Sequence, residues 1–90
     1  MREVEDVLFA HPEVAEAAVV GVPDAYRGEV IVAHVVLRPG AAADADALIA
    51  WCRERLSKYK LPARVRFADS LPRTSVNQID KAALRLLALD

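Results

Sequence analysis

The spacing of apolar and polar side chains predicts three helices and three strands. The first helix covers residues 2–10, where Val4, Val7 and Leu8 recur at helical spacing and carboxylates stand in the first turns, near the positive end of the helix dipole. A proline at position 12 ends it, because the residue before a proline avoids the helical region. The later elements are predicted as strands over residues 14–22 and 30–37, a helix over 45–56, a strand over 64–68 and a helix over 80–89.

The first long strand is apolar on both faces apart from Glu16, and the second is an almost uninterrupted run of β-branched residues. Strands of this kind are buried on both sides, which predicts a central sheet covered by helices. We therefore expect an α+β fold with a small mixed β-sheet of about three strands flanked by about three helices. His34 lies in the second strand on the same face as Val32 and Val36. We interpret it as a packed residue, because a catalytic histidine needs a partner in the right geometry.

The two later helices are each predicted to bury one stripe. Asp44 or Asp46 can cap the first of them, and Asp80 can cap the second. The buried stripe of the first is expected to comprise Ala45, Leu48, Ile49, Cys52 and Leu56. The inward residues of the second are expected to be Ile79, Ala83, Leu86 and Leu87. The short strand before it alternates charged and apolar residues, with Val65 and Phe67 on one face, which is typical of an edge strand.

Composition limits the class of protein. The chain has 90 residues, 54% of them hydrophobic, which suits one small domain with a real core. Its net charge of −1 gives no argument for a nucleic-acid partner. The single cysteine, Cys52, excludes an internal disulfide and is expected to be a core thiol, so we expect a cytoplasmic protein. No apolar run approaches the roughly 18–20 residues that span a bilayer, and no secretory signal is visible.

Charge is distributed unevenly along the chain. Residues 1–29 carry two basic side chains against seven acidic ones, whereas residues 53–66 carry six basic side chains against Glu54 alone. This basic band is expected to meet phosphate groups or an acidic partner protein, or else to be an ordinary solvated face. Its candidate contact residues are Lys58, Lys60, Arg64 and Arg66. The sequence has no metal-ligand cluster, nucleophile motif or glycine-rich phosphate loop.

A polar loop over residues 70–81 separates the last strand from the last helix. Pro72 breaks regular structure because its φ is fixed and it lacks a backbone N–H. Thr74, Ser75 and Asn77 favour turns, because their short side chains bond to nearby backbone groups. Ordered polar loops between apolar elements often carry function, although most loops only connect. Both interpretations stay open on the residues alone.

Two sets of residues resemble a known family. The first comprises Glu3-Val4-Glu5-Asp6-Val7-Leu8, His11-Pro12, Ala18-Val19-Val20-Gly21-Val22-Pro23-Asp24 and Gly28-Glu29. The second comprises Leu56-Ser57-Lys58-Tyr59-Lys60-Leu61-Pro62, Leu71-Pro72-Arg73-Thr74, Ile79, Lys81 and Leu84-Arg85. Together they resemble the C-terminal domain of AMP-forming acyl-CoA synthetases, in the adenylate-forming superfamily that also contains luciferases and peptide-synthetase adenylation domains. The resemblance covers nearly the whole chain, without the hinge residue and first hairpin of that domain.

The resemblance implies a two-step ligase. An acid and ATP, with Mg²⁺, give an acyl-adenylate and pyrophosphate, and a thiol, usually coenzyme A, then displaces AMP. The small domain rotates between the steps as a lid with two closed states. The implied partners are the large N-terminal domain of the same enzyme and either coenzyme A or an acyl-carrier protein. Alone, the domain is expected to bind none of these cofactors and to be inactive, and a strand edge left bare by the missing hairpin would invite self-association.

The loop departs from the family pattern at its functional position. The family has Gly-Lys-Ile there, and its lysine reaches the carboxylate and phosphate oxygens during adenylation. Here Asn77-Gln78 replaces Gly-Lys, and the neutral Gln78 cannot supply the charge. Asparagine tolerates the positive φ that glycine adopts freely. Lys81 is expected to point elsewhere. Gln78 is therefore either an engineered substitution, a natural change in an enzyme specialised for the thioester step, or a sign of a non-catalytic binding module.

The resemblance thus implies two groups of site residues. Gln78 stands at the position of the adenylation lysine, and the substrate loop around it comprises Arg73, Thr74, Ser75 and Asn77. The candidate contacts for coenzyme A phosphates or for an acidic carrier protein are Lys58, Lys60 and Arg64.

Overall fold

A three-stranded sheet organises the chain, of which the computed structural model describes residues 2–89. In chain order the elements are α1 (Arg2–Phe9), β1 (Val14–Asp24), β2 (Gly28–Leu37), α2 (Ala45–Arg53), a single 3₁₀ turn (Lys58–Lys60), β3 (Arg64–Phe67) and α3 (Lys81–Ala88). The strand order is β1-β2-β3, with β1 antiparallel to β2 and β2 parallel to β3. The predicted α+β class, with a mixed sheet and flanking helices, is confirmed, and β3 lies at an edge as expected.

The direction in which each pair of strands runs agrees with the length of the segment that joins the two strands. Three residues, 25–27, join β1 to β2, and Gly28 has a φ of 78°, a left-handed value that glycine adopts without strain. Asp24 closes this turn, since its carboxylate accepts the backbone N–H groups of Tyr26 and Arg27 at 2.8 and 3.0 Å. These two bonds hold the pKa of Asp24 below its usual range. The parallel pair β2–β3 needs a crossover, and α2 supplies it.

Helices cover both faces of the sheet, which explains why both long strands are largely apolar on both faces. α1 and α2 pack on one face in a cluster, the α1–α2 core, that includes Leu8, Val19, Val35, Leu48 and Cys52. α3 packs on the other face in a second cluster, the α3 core, that includes Ala18, Val20, Val32, Leu84 and Ala88. Successive strand residues therefore alternate between two separate cores.

The two residues singled out for possible chemistry are both buried. Cys52 is inaccessible in the α1–α2 core, and burial raises the pKa of its thiol, as expected for a core cysteine. His34 lies on the α3 face of β2 and is buried, with its Nε2 atom unpartnered among the described residues. Burial is the main cause that lowers its pKa, and the nearby Arg66 lowers it further. Both predictions of packed residues are confirmed.

The helix caps resolve one open alternative. Asp44, and not Asp46, caps α2, because its side chain accepts the backbone N–H of Ala47 at 2.8 Å. Asp80 caps α3 in the same way, accepting the N–H of Ala83 at 3.0 Å.

The predicted inward face of α3 is wrong at two positions. Leu86 and Leu87 are 69% and 44% exposed, and the buried residues are Leu84 and Ala88, which are one turn apart. Ile79 and Ala83 are half-buried, as expected. The error has a physical cause. Leucines occur on several sides of this eight-residue helix, so their spacing does not identify one stripe.

An ion pair covers the outer edge of β1. Lys81 at the start of α3 donates to the Glu5 carboxylate of α1 and to the carbonyl of Val19 at 3.1 Å. The same carboxylate accepts the N–H of Val19 at 2.7 Å. Both backbone groups that Val19 turns away from the sheet are therefore bonded, which protects this stretch of the edge. The helices described over residues 2–89 have eight or nine residues each, and none of them is long and apolar enough to cross a membrane.

Candidate functional site

The polar loop folds into a small hairpin between β3 and α3. Arg73 and Ile79 form an isolated antiparallel bridge across its base, and the N–H of Asp80 donates to the carbonyl of Pro72 at 2.9 Å. The loop is thus closed by backbone bonds on both sides of its tip. An ordered conformation of this kind can hold a side chain in a fixed place, which a floppy connector cannot do.

Thr74 and Asn77 define the tip of this hairpin. The Thr74 carbonyl accepts the N–H of Asn77 at 2.9 Å, and the Thr74 N–H donates to the carbonyl of Gln78 at 2.7 Å. Asn77 has a φ of 65°. A four-residue turn whose last residue is left-handed is a common hairpin connection, and it explains why glycine or asparagine is suited to position 77. Ser75 occupies the exposed middle of the turn.

Gln78 is the first residue after this tip. Its N–H donates to the Thr74 hydroxyl at 3.3 Å, and its side chain is exposed. Lys81 lies three residues further on but is engaged by Glu5 and Val19 on the edge of β1. The expectation that Lys81 points elsewhere is therefore confirmed. The side chain at position 78 is exposed, as are those at positions 73–77 of the hairpin.

Arg73 links the hairpin to strand β1 through two contacts of its guanidinium group. One guanidinium nitrogen is 2.6 Å from a carboxylate oxygen of Glu16 on β1, and the other donates to the carbonyl of Asn77 at 3.2 Å. Arg73 thereby connects the sheet to the turn residue that precedes Gln78. The sequence placed Arg73 in the loop but gave no signal for Glu16 as its partner, since the two are separated by 57 positions.

The candidate phosphate contacts are spread over two faces instead of forming one cluster. Lys60 pairs with Glu3 of α1 at 2.7 Å. Arg64 and Arg66 donate at 2.6 Å to the carbonyls of Ala88 and Leu87, at the C-terminal end of α3. Cations are favourable at that end of a helix dipole. Most of the basic band therefore has a structural partner, whereas Lys58 lies at the exposed start of the 3₁₀ turn.

Two shallow grooves lie side by side at the β1–β2 turn. The larger, of about 740 Å³, is lined by Asp24, Tyr26, Arg27 and Arg64 among others, and the smaller, of about 260 Å³, by Arg27, Lys58 and Tyr59. Arg27 belongs to both. Tyr26 and Tyr59 are 98% and 94% exposed at the rims. A surface with cations and free aromatic faces suits an anionic ligand that also has a flat ring.

Comparison with known proteins agrees with this geometry. The family model described as AMP-binding enzyme C-terminal domain matches residues 3–77. The chain belongs to that family. Residues 73–77 of the hairpin lie within the match, which ends one residue before Gln78. The role of position 78 in this AMP-binding C-terminal domain therefore stays a prediction.

Relatives of this AMP-binding C-terminal domain include named ligases. A 2-succinylbenzoate–CoA ligase from Geobacillus kaustophilus (strain HTA426) is 49% identical over 85 residues, which are 94% of this chain and 17% of that protein. A long-chain-fatty-acid–CoA ligase from Bacillus subtilis (strain 168) is 49% identical over 78 residues, which are 87% of this chain and 14% of that protein. The domain thus spans about a sixth of the length of these curated relatives.

Solved structures share the fold. ATP-bound MatB from Rhodopseudomonas palustris superposes with a TM-score of 0.95 at 38% identity, over 99% of this chain and 18% of that one. Amide bond synthetase McbA from Marinactinospora thermotolerans gives 0.92 at 44% identity, over 96% of this chain and 17% of that one. These similarities show that the chain shares its fold with one part of each of these proteins.

Sequence reasoning missed the aromatic part of the candidate site. Neither Tyr26 nor Tyr59 is among the candidate site residues named from the sequence. A signal was available, because each tyrosine stands beside a basic residue in a segment with no apolar periodicity: Tyr26 before Arg27, and Tyr59 between Lys58 and Lys60. A large aromatic side chain in such a segment has no core to enter, so its exposure was predictable.

Proposed function

We propose that this chain is the mobile C-terminal domain of an acyl-CoA synthetase-like ligase, with Gln78 at the position of the adenylation lysine. The enzyme would join an acid and ATP into an acyl-adenylate and then transfer the acyl group to coenzyme A. The observation that carries the proposal is the hairpin of residues 73–79, which is braced by Arg73 and presents position 78 to the outside. The names of the ligase relatives support the reaction class.

In the adenylation step, position 78 would face the substrate carboxylate and the phosphate oxygens. A lysine there would offset the negative charge that grows as the phosphorus is attacked, and preorganised contacts of this kind contribute strongly to catalysis. Gln78 offers amide hydrogen bonds without charge. We therefore propose that adenylation is slow in the enzyme that carries this domain, and that thioester formation, which uses another face of the lid, is not.

The cofactors follow from the same proposal. ATP would bind mainly to the large domain, and the lid would close over it. Among residues 2–89 no three acidic, histidine or cysteine side chains are grouped so that they could hold a metal, so we assign no Mg²⁺ ligand to this domain. Because the isolated chain would supply only one wall of the active site, it is proposed to be inactive alone.

The second step would use the grooves at the β1–β2 turn. Lys58 and Arg64 line adjacent grooves that share Arg27, and they are proposed to meet the phosphates of coenzyme A or an acidic carrier protein. Lys60 is a weaker candidate than its position in the sequence indicated, because Glu3 already pairs with it. A ligand that recruits Lys60 would have to displace that carboxylate.

The test separates the two half-reactions in the complete enzyme. Adenylate formation is measured from acid and ATP as pyrophosphate release, and thioester formation is measured from ready-made acyl-adenylate and coenzyme A. Gln78→Lys is expected to raise the first rate by about 10²–10³, as for one charged transition-state contact, and to leave the second unchanged. Val76→Lys is the matched control, since it adds the same charge to an exposed position of the same hairpin.

Two results would overturn the proposal. Equal acceleration of adenylation by Val76→Lys would mean that a lysine anywhere on the hairpin acts through its positive charge alone and not through a contact made from position 78. Indifference of both rates to position 78 would remove the catalytic role from the hairpin, and a non-catalytic module that docks a partner or a carrier protein would then be the better description.

A further inference from the structure

The ion pair between Glu16 and Arg73 has a geometry that a merely stabilising surface contact would not need. Arg73 places one nitrogen on Glu16 and the other on the carbonyl of Asn77. Asn77 is the left-handed residue of the hairpin, and its carbonyl belongs to the peptide that leads into Gln78. Rotation of that peptide re-aims the side chain at position 78, so the guanidinium holds the group that determines where this side chain points.

A β-bulge places Glu16 on the correct face for this contact. The pairing of β1 with β2 shifts register between Val14, which is opposite Leu37, and Glu16, which is opposite Val36. One extra residue therefore lies in β1, and the alternation of its side chains changes phase. Val14 packs in the α1–α2 core, whereas Ala18, four residues later, packs in the α3 core.

Without the bulge, Glu16 would share the face of Val14 and enter the α1–α2 core. A carboxylate buried there without a partner would be strongly unfavourable. With the bulge, Glu16 falls in phase with Ala18 on the face that carries α3 and the hairpin. There its carboxylate is 35% exposed and meets Arg73. Bulges that re-aim a side chain are frequent next to active sites.

The strength of the pair agrees with a local role. Arg73 is 40% exposed, and ion pairs between partly exposed side chains add little to the free energy of unfolding. The hairpin, by contrast, has only a few backbone bonds of its own, so a modest interaction is enough to select one of its conformations. Loss of the pair should therefore loosen residues 74–78 and leave the two cores intact.

We propose that Glu16 and Arg73 are positioning residues that fix the orientation of position 78 in the hairpin. The inference rests on the proposed function for its catalytic meaning, but its structural half stands alone. Glu16 acts through Arg73, and Arg73 acts through the Asn77 carbonyl. Neither is proposed to touch a substrate.

The structural half is tested by amide hydrogen exchange of this chain. Glu16→Gln keeps the size of the side chain and removes its charge. It is expected to speed exchange at Asn77 and Gln78 by about tenfold, which corresponds to a tenfold larger equilibrium constant for local opening of the hairpin. Exchange at Val35, in the central strand, should not change. Glu3→Gln, which removes the exposed pair with Lys60, is the matched control and should leave the hairpin unchanged.

The nature of the Arg73 contact is tested with two further variants. Arg73→Lys retains the charge, but a single ammonium group cannot span both acceptors in the same fork geometry. It is expected to protect the hairpin amides less than arginine and more than Arg73→Ala. Unchanged exchange in Glu16→Gln, or an equal increase at Val35 and at Gln78, would overturn the proposal, because the pair would then be either dispensable or simply part of global stability.

The catalytic half is tested in the complete enzyme carrying Gln78→Lys. There Glu16→Gln is expected to lower kcat of adenylation about tenfold with little change in KM for ATP, since a misplaced lysine loses a contact made in the transition state. If Gln78→Lys itself fails to raise adenylation, the proposed function fails while the exchange result stands. If the lysine enzyme is fast and Glu16→Gln leaves its kcat unchanged, the positioning role is refuted and the proposed function survives.

Discussion

Lowering the pH from 7.5 to 5.5 is expected to destabilise this domain through His34. The imidazole is buried between β2 and α3, and its Nε2 atom has no partner among the described residues. Burial and the neighbouring Arg66 and Arg64 lower its pKa, and the Leu84 backbone opposes them only in part. A proton added in the folded state would therefore create a buried cation beside two arginines.

The sign and the size follow from linkage. The unfolded state titrates with a pKa near 6.5, and the folded state at a lower value. The effect is absent above pH 6.5, grows as the pH falls from 6.5 toward the folded value, and is constant below it. Within that window the unfolded state binds one more proton, so stability falls by up to about 1.4 kcal/mol per pH unit. This is a substantial loss for a domain whose total stability is expected to be about 5–15 kcal/mol.

The assay is urea unfolding at pH 7.5, 6.5 and 5.5, compared with variants that cannot titrate at position 34. His34→Gln and His34→Leu should both show a flatter pH dependence than the parent chain, whatever their stability at pH 7.5. His11→Gln is the matched control, because it removes the only other histidine, whose ring packs edge-on against Trp51. Carboxylates titrate alike in all variants and cancel in the comparison. Equal slopes for the parent and for both position-34 variants would refute the reasoning.

Two further predictions concern packing and backbone. Leu84→Ala should lower the free energy of unfolding in urea by about 2–5 kcal/mol, because it empties a fully buried site. Leu86→Ala should change it by no more than about 0.5 kcal/mol. Similar losses for the two variants would mean that Leu86 lies on the inward face of α3 after all. Asn77→Gly should be tolerated, and Asn77→Ala should lower the free energy of unfolding by about 1 kcal/mol more than glycine does, because position 77 has a positive φ. Thermal unfolding measures the difference. Equal midpoints for the two variants would mean that the hairpin does not require that conformation.

The sequence was informative wherever one residue or one short pattern decides the structure. The second strand was recognisable because β-branched residues run along it almost without interruption. Asp80 was recognisable as a cap because a short carboxylate before an apolar run can accept a free backbone N–H of the first helical turn. The choice between Asp44 and Asp46 needed coordinates, since either could bond the first turn.

Other features depended on distant partners and could not be predicted from the chain alone. The bulge before Glu16 is visible only when β1 is aligned with β2, because an extra residue has no local signature. The basic band was treated as one surface, but Glu3 and the end of α3 attract its members in different directions. The inward face of α3 was wrong for a related reason: leucines lie on several sides of this helix, and only its packing against β1 shows that Leu84 meets the sheet.

The contact of Lys81 with Glu5 and Val19 has a consequence for how the chain is made. Lys81 is separated from Glu5 by 76 residues, so this contact forms only after almost the whole domain has been synthesised. Until then the carbonyl of Val19 lacks its donor, and the edge of β1 can pair with a strand of another chain. Ribosome-bound or C-terminally shortened chains are therefore the species at risk of aggregation, and synthesis of the last helix ends that exposure.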